Sequence, residues 1–110
     1  MASAKPDLLQ GTLDLLILKT LHLGANHGFG ITLHIQNASQ GLLRVEEGSL
    51  YPALHRLERN KLVTATWQTT PNGRRARVYE LTTAGRKRLG DAEENWSALA
   101  KGVSRVLRFV

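Results

Sequence analysis

Cysteine is absent from this 110-residue chain, which removes both a disulfide framework and a thiolate metal site. A reducing compartment is compatible with that absence. Long apolar runs are missing too: the densest stretch, Leu13 to Leu23, is interrupted by Asp14, Lys19 and His22, whereas a membrane span needs about 18 unbroken apolar residues. The N-terminus has no basic region followed by an apolar core, so no signal peptide is read there and a cytoplasmic protein is expected. Phosphate-cradling loops are absent, because GFG at 28–30 lacks the full GxGxxG pattern and no GxxxxGK[ST] occurs. Ser39 and Ser49 have histidines nearby in sequence, but neither sits in a strand-to-helix elbow with an orienting carboxylate. Asp7 reads as an exposed arm residue and Asp14 as a first-turn residue, so they do not make a catalytic acid pair. His22, His27, His34 and His55 lack the companion ligands of a zinc site. Catalysis, metal binding and cofactor binding are therefore not expected.

The composition supports one compact domain, with 42% hydrophobic residues. The net charge is +6, and its position is more informative than its size. Residues 1–42 sum to zero, as do residues 91–110, so the whole excess lies between 43 and 90. A localised positive field favours a polyanionic partner and steers it to one face. The blander reading of the same charge is solubility.

In chain order, Thr12 can cap a helix over Leu13 to Leu23, with Asp14 near its positive end. Leucine and isoleucine surround most of that helix, more than one packing face needs. After Gly24, the stretch HGFGITLHIQNAS reads as a second helix with Ile31 and Ile35 inward, ending near Gly41. Leu42 to Val45 fits a short edge strand. Gly48 to Asn60, GSLYPALHRLERN, reads as a third helix of about three turns, capped by Ser49 with Pro52 in its first turn. Its Leu50, Leu54 and Leu57 form one stripe, and Ser49, Ala53, Arg56 and Arg59 can face away. Such a helix has the length that fits a DNA major groove.

Beyond Asn60 the period changes from 3.6 to 2. Val63, Ala65, Trp67 and Thr69 alternate along one strand, and Val78 to Leu81 forms another. Between them a turn at Pro71-Asn72-Gly73 carries Arg74, Arg75 and Arg77, a basic hairpin suited to a phosphate row or the minor groove. Thr82 or Thr83 caps a last helix. Along it, Leu89, Ala92, Trp96, Leu99, Val103, Val106 and Val110 repeat in alternating steps of three and four. That seam reads as a dimer interface, the alternative being that it packs back on its own core. Trp96 suits the seam itself or the wall of an apolar pocket between subunits that would take a small aromatic or lipophilic effector.

The expected fold class is mainly α with a small β-hairpin: a winged helix-turn-helix over 1–82 and a C-terminal dimerisation helix over 83–110. The sequence also resembles the PadR-like family of bacterial transcriptional regulators. The resemblance is carried by LLQGTLDLLILKTL at 8–21, HGFGITLHI at 27–35, GSLYPALHRLE at 48–58, GRRARVYELTTAGRKRL at 73–89 and a Trp in the last helix. It implies a homodimer that binds an inverted-repeat operator in double-stranded DNA, usually as a repressor. It also implies that Ser49, Tyr51, Arg56 and Arg59 lie at the DNA, with Arg74, Arg75 and Arg77 on the wing. A single C-terminal helix is similar to the short subgroup. The family's usual HGYG is HGFG here, so Phe29 lacks a hydroxyl, and any ligand or dimer contact that hydroxyl makes in relatives is lost. Arg56 has a local ion pair as its alternative role. Two other functions fit the same residues: a sequence-tolerant architectural DNA-binding protein, and a dimeric adaptor whose basic face binds an acidic protein.

Overall fold

The leucine-rich start of the chain forms helix α1 (Gln10–His22), in a computed structural model that describes residues 10–108. Leu13, Leu15, Ile17, Leu18 and Leu21 are all buried, so α1 is covered on most sides by the rest of the molecule. Its one buried polar residue, Thr20, is satisfied by donating to the Leu16 carbonyl at 2.8 Å. Thr12 lies within the helix and not at its cap.

Strand β1 (Asn26–His27) leads directly into helix α2 (Gly28–Ala38). The His27 imidazole caps α2, its Nδ1 accepting from the Gly30 backbone N–H at 3.0 Å. Ile31 and Ile35 face inward as their spacing requires. Gln40 closes α2 at a φ of 55°, while Gly41 N–H reaches back to the Gln36 carbonyl at 2.8 Å.

Leu42 to Val45 does not form the expected strand. Leu43 and Val45 instead pack as partly buried plugs on the core, and the sheet position is taken by β1. Helix α3 (Glu47–Arg59) then begins two residues earlier than Ser49. The Glu46 carbonyl accepts from Ser49 and Leu50 N–H at 3.0 and 2.9 Å, so the Glu46 backbone starts the helix without a side-chain cap. Pro52 consequently falls in the second turn, where its missing N–H leaves the Gly48 carbonyl without its intrahelical donor. Leu50, Ala53, Leu54 and Leu57 are buried, which places Ala53 on the inward stripe and not on the outward face.

Strands β2 (Val63–Thr69) and β3 (Arg75–Leu81) form an antiparallel hairpin with Val63 opposite Leu81 and Thr69 opposite Arg75. β1 pairs with the other edge of β3, giving the order β1-β3-β2. At the hairpin tip Gly73 takes a φ of 84°, and the Thr70 N–H donates to the Arg74 carbonyl at 2.6 Å.

Helix α4 (Thr83–Arg108) is capped by Thr82, whose hydroxyl accepts from Gly85 N–H at 3.0 Å and donates to the Lys61 carbonyl at 2.8 Å. Gly85 is required there: a Cβ would collide with the Leu62 carbonyl oxygen. Leu89 is buried within its own chain and Ala92 packs partly on the same core. The first two seam positions therefore anchor α4, whereas Trp96, Leu99, Val103 and Val106 remain exposed. Val110 lies outside the described residues. The architecture is a winged helix-turn-helix with a long C-terminal helix. Among the described residues, no helix is long and apolar enough to cross a membrane.

Candidate nucleic-acid interface

Burial of Leu50, Ala53, Leu54 and Leu57 fixes which way α3 looks. Its exposed residues are Glu47, Gly48, Ser49, Tyr51, Pro52, His55 and Arg59. Tyr51 is held in place from behind. Its phenol lies against Gly28 at the start of α2, where an added Cβ would sit 2.7 Å from the hydroxyl oxygen. The small residue in HGFG thus makes room for the tyrosine of SLYP.

Arg56 is not on this face. Its guanidinium donates to the Asp14 carboxylate of α1 at 2.6 Å, with both side chains only 24% exposed. Its Nε is buried without a partner. The local ion pair considered for Arg56 is thus the one observed, and Asp14 serves as its acceptor.

On the wing, antiparallel register puts Val63, Ala65 and Trp67 opposite Leu81, Tyr79 and Arg77, so these residues share one face of the hairpin. Val63, Tyr79 and Leu81 are buried, so this face turns toward the helices. Arg77 donates to Glu58 of α3 at 2.8 Å and lies 6.0 Å above the Tyr79 ring. Burial raises the Tyr79 phenol's pKa above its usual value; the nearby Arg77 charge offsets part of that effect, and Glu58 and Tyr51 add to it. Arg75 stacks 5.2 Å from the centre of the exposed Trp67 ring. Arg74 is exposed at the tip.

Between α3 and the wing runs an open groove of about 820 Å³, lined by Phe29, Tyr51, His55, Trp67, Arg74 and Arg77 among others. Arg74 and Arg77 are the cations that line it, and Arg59, Lys61 and Arg75 are exposed on or next to α3 and the wing. Exposed donors beside a helix face match what a phosphate backbone and base edges require. His55 was missed by sequence reasoning. The signal lay in its spacing, four residues from both Tyr51 and Arg59, once Ala53 is counted among the inward positions.

Trp96 belongs to a different surface. It lines two shallow apolar depressions of about 320 and 390 Å³, one with Leu15, Leu16, Lys19 and Glu93 and one with Gly11, Ala92 and Leu99. Lys19 and Glu93 pair there at 3.0 Å, tying α1 to α4. Phe29 lines the wing groove, whereas Trp96 lines the two depressions beside α1. Among the described residues, no group of three or more His, Asp or Glu is arranged to hold a metal.

The sequence matches the transcriptional regulator PadR-like family over residues 17–91. It is similar to a transcriptional regulator of Mycobacterium tuberculosis, with 39% identity over 89 residues that cover 78% of this chain and 79% of that one. The fold is similar to that of a transcriptional regulator from Clostridium thermocellum, with a TM-score of 0.82 and 27% identity, covering 91% of this chain and 97% of the other. It is also similar to a PadR family regulator from Eggerthella lenta, with a TM-score of 0.77 and 26% identity, covering 92% and 86%. With the outer face of α3 and the basic wing in place and the family matched over residues 17–91, the chain belongs to the PadR-like family of transcriptional regulators and is a DNA-binding regulator.

Proposed function

We propose that the protein is a homodimeric, sequence-specific repressor that occupies an inverted-repeat promoter operator in the cytoplasm. The observation that carries this reading is the pairing of two surfaces. One is the polar outer face of α3 beside Arg74, Arg75 and Arg77; the other is the bare apolar side of α4. Ser49, Tyr51 and Arg59 enter the major groove, and the wing arginines contact phosphate or the minor groove. Trp96, Leu99, Val103 and Val106 meet their counterparts in a second copy. Sequestering that strip explains a helix whose last four turns touch little of their own domain.

Dimer formation places two α3 helices on one side of the duplex, about one helical turn apart. Occupancy blocks polymerase or its path. Trp96 sits where a small aromatic or lipophilic effector would shift the arrangement of the subunits, and thereby the spacing of the two reading helices. The test is a salt-dependent titration against DNA from the gene's own upstream region and against a shuffled duplex. Strong preference for the upstream fragment supports the operator reading. Equal, steeply salt-dependent binding to both favours an architectural protein, and negligible binding at low salt favours a protein adaptor.

A further inference from the structure

We infer that His55 and Arg59 are the specificity-determining pair of α3 and that each reads a guanine in the operator half-site. This rests on the proposed function and names the base chemistry that the site recognises. Few polar side chains on the outward face are free to reach a base edge. Arg56 is committed to Asp14, and Glu58 to Arg77. Tyr51 is exposed in part, but its hydroxyl end is packed on Gly28. Ser49, near the start of the helix, carries only a short hydroxyl. Glu47 is exposed in the first turn and has no donor to offer; His55 and Arg59 are the exposed nitrogen donors of the helix, four residues apart on one line.

That spacing is about 6 Å along the helix, close to two base-pair steps of roughly 3.4 Å. Guanidinium has donors and no acceptor, and guanine is the base that shows two acceptors, O6 and N7, in the major groove. An imidazole N–H meets the same acceptors. Adenine and cytosine each show an amino donor there, and neither His55 nor Arg59 carries a carboxylate or amide to accept from it. His55 also lines the groove with Arg74 and Arg77, whose positive field favours an acceptor-rich base edge over a donor-bearing one. The half-site is therefore expected to carry two guanines, adjacent or one base pair apart.

The experiment is selection from a randomised duplex pool at fixed salt with the full-length protein and its His55→Ala and Arg59→Ala variants. Thermal melting checks that each exposed substitution leaves the fold intact. The wild-type protein is expected to enrich guanine at two positions per half-site. His55→Ala should release one and Arg59→Ala the other, each losing a roughly 5- to 150-fold preference at its own position. Selected sites that lack guanine, or that keep both guanines in the two variants, overturn the assignment while leaving a sequence-specific regulator standing. A pool that is bound tightly yet returns unselected overturns the operator reading as well.

Discussion

Breaking the Asp14–Arg56 pair should unsettle the fold while leaving the electrostatics of DNA binding in place. The two side chains are three-quarters buried and meet at 2.6 Å, between the central helix α1 and the reading helix α3. A charged hydrogen bond of this kind contributes about 1.5–3 kcal/mol, because the surviving partner is left poorly solvated. The buried Nε of Arg56 lacks a partner, so its removal in Arg56→Met offsets part of this cost. A loss near 2 kcal/mol corresponds to a fall in Tm of roughly 8–16 °C for a domain of this size, at matched protein concentration. Arg56→Met and Asp14→Asn should each show that fall, and the double variant should be less destabilised than the sum of the two, since the interaction can be lost only once. The assay is thermal unfolding followed by circular dichroism, with a DNA titration at several salt concentrations on the same samples. Wild-type melting of both single variants, together with a DNA salt slope reduced by about 1 in Arg56→Met, would refute the reasoning and return Arg56 to the DNA face.

Other consequences follow from the same geometry. Replacing both Arg74 and Arg75 by Ala should flatten the dependence of log affinity on log salt by about 1–2, with little change in Tm; an unchanged slope would remove the wing from the phosphate contacts. Gly85→Ala forces a methyl into the Leu62 carbonyl and should cost about 1–3 kcal/mol, seen as a lower urea midpoint at constant m. An unshifted midpoint would mean that α4 does not approach Leu62 this closely. Tyr79 ionises less readily folded than unfolded, so its contribution to stability is present below pH about 10 and is lost as pH rises from there through the raised folded value. Tyr79→Phe should therefore shed less stability than wild type between pH 9 and roughly 11 in thermal melts. Equal alkaline losses in the two proteins would contradict a buried phenol.

The sequence made some features plain because one local signal decided them. The leucines of α1, the alternation of β2 and the Pro-Asn-Gly turn all needed only periodicity or turn chemistry. Two features escaped because distant residues decided them. Leu42 to Val45 has strand composition, yet the free edge of β3 is claimed by Asn26 and His27, which no local pattern reveals. The start of α3 was misjudged because Ser49 is a good cap by residue type, whereas the Glu46 carbonyl does the work from the backbone. That three-residue shift of the cap moved Pro52 into the second turn. Placing Ala53 outward, although Leu50, Leu54 and Leu57 were correctly inward, kept His55 from view as the centre of the outer face. On the wing, charge clustering pointed to Arg74, Arg75 and Arg77 together. Only the register and the Glu58 contact distinguish the paired Arg77 from the freer Arg74. The seam of α4 was legible as a period, but its division at Ala92 depends on where α1 runs.

The most direct test of the central claim is nuclease footprinting of the purified protein on its own upstream DNA, with binding stoichiometry measured on the same fragment. Two symmetric half-sites centred about 10–10.5 base pairs apart, or a multiple of that, with two chains bound, are predicted for a dimer reading an inverted repeat. Diffuse protection, or one asymmetric site filled by a single chain, would contradict it.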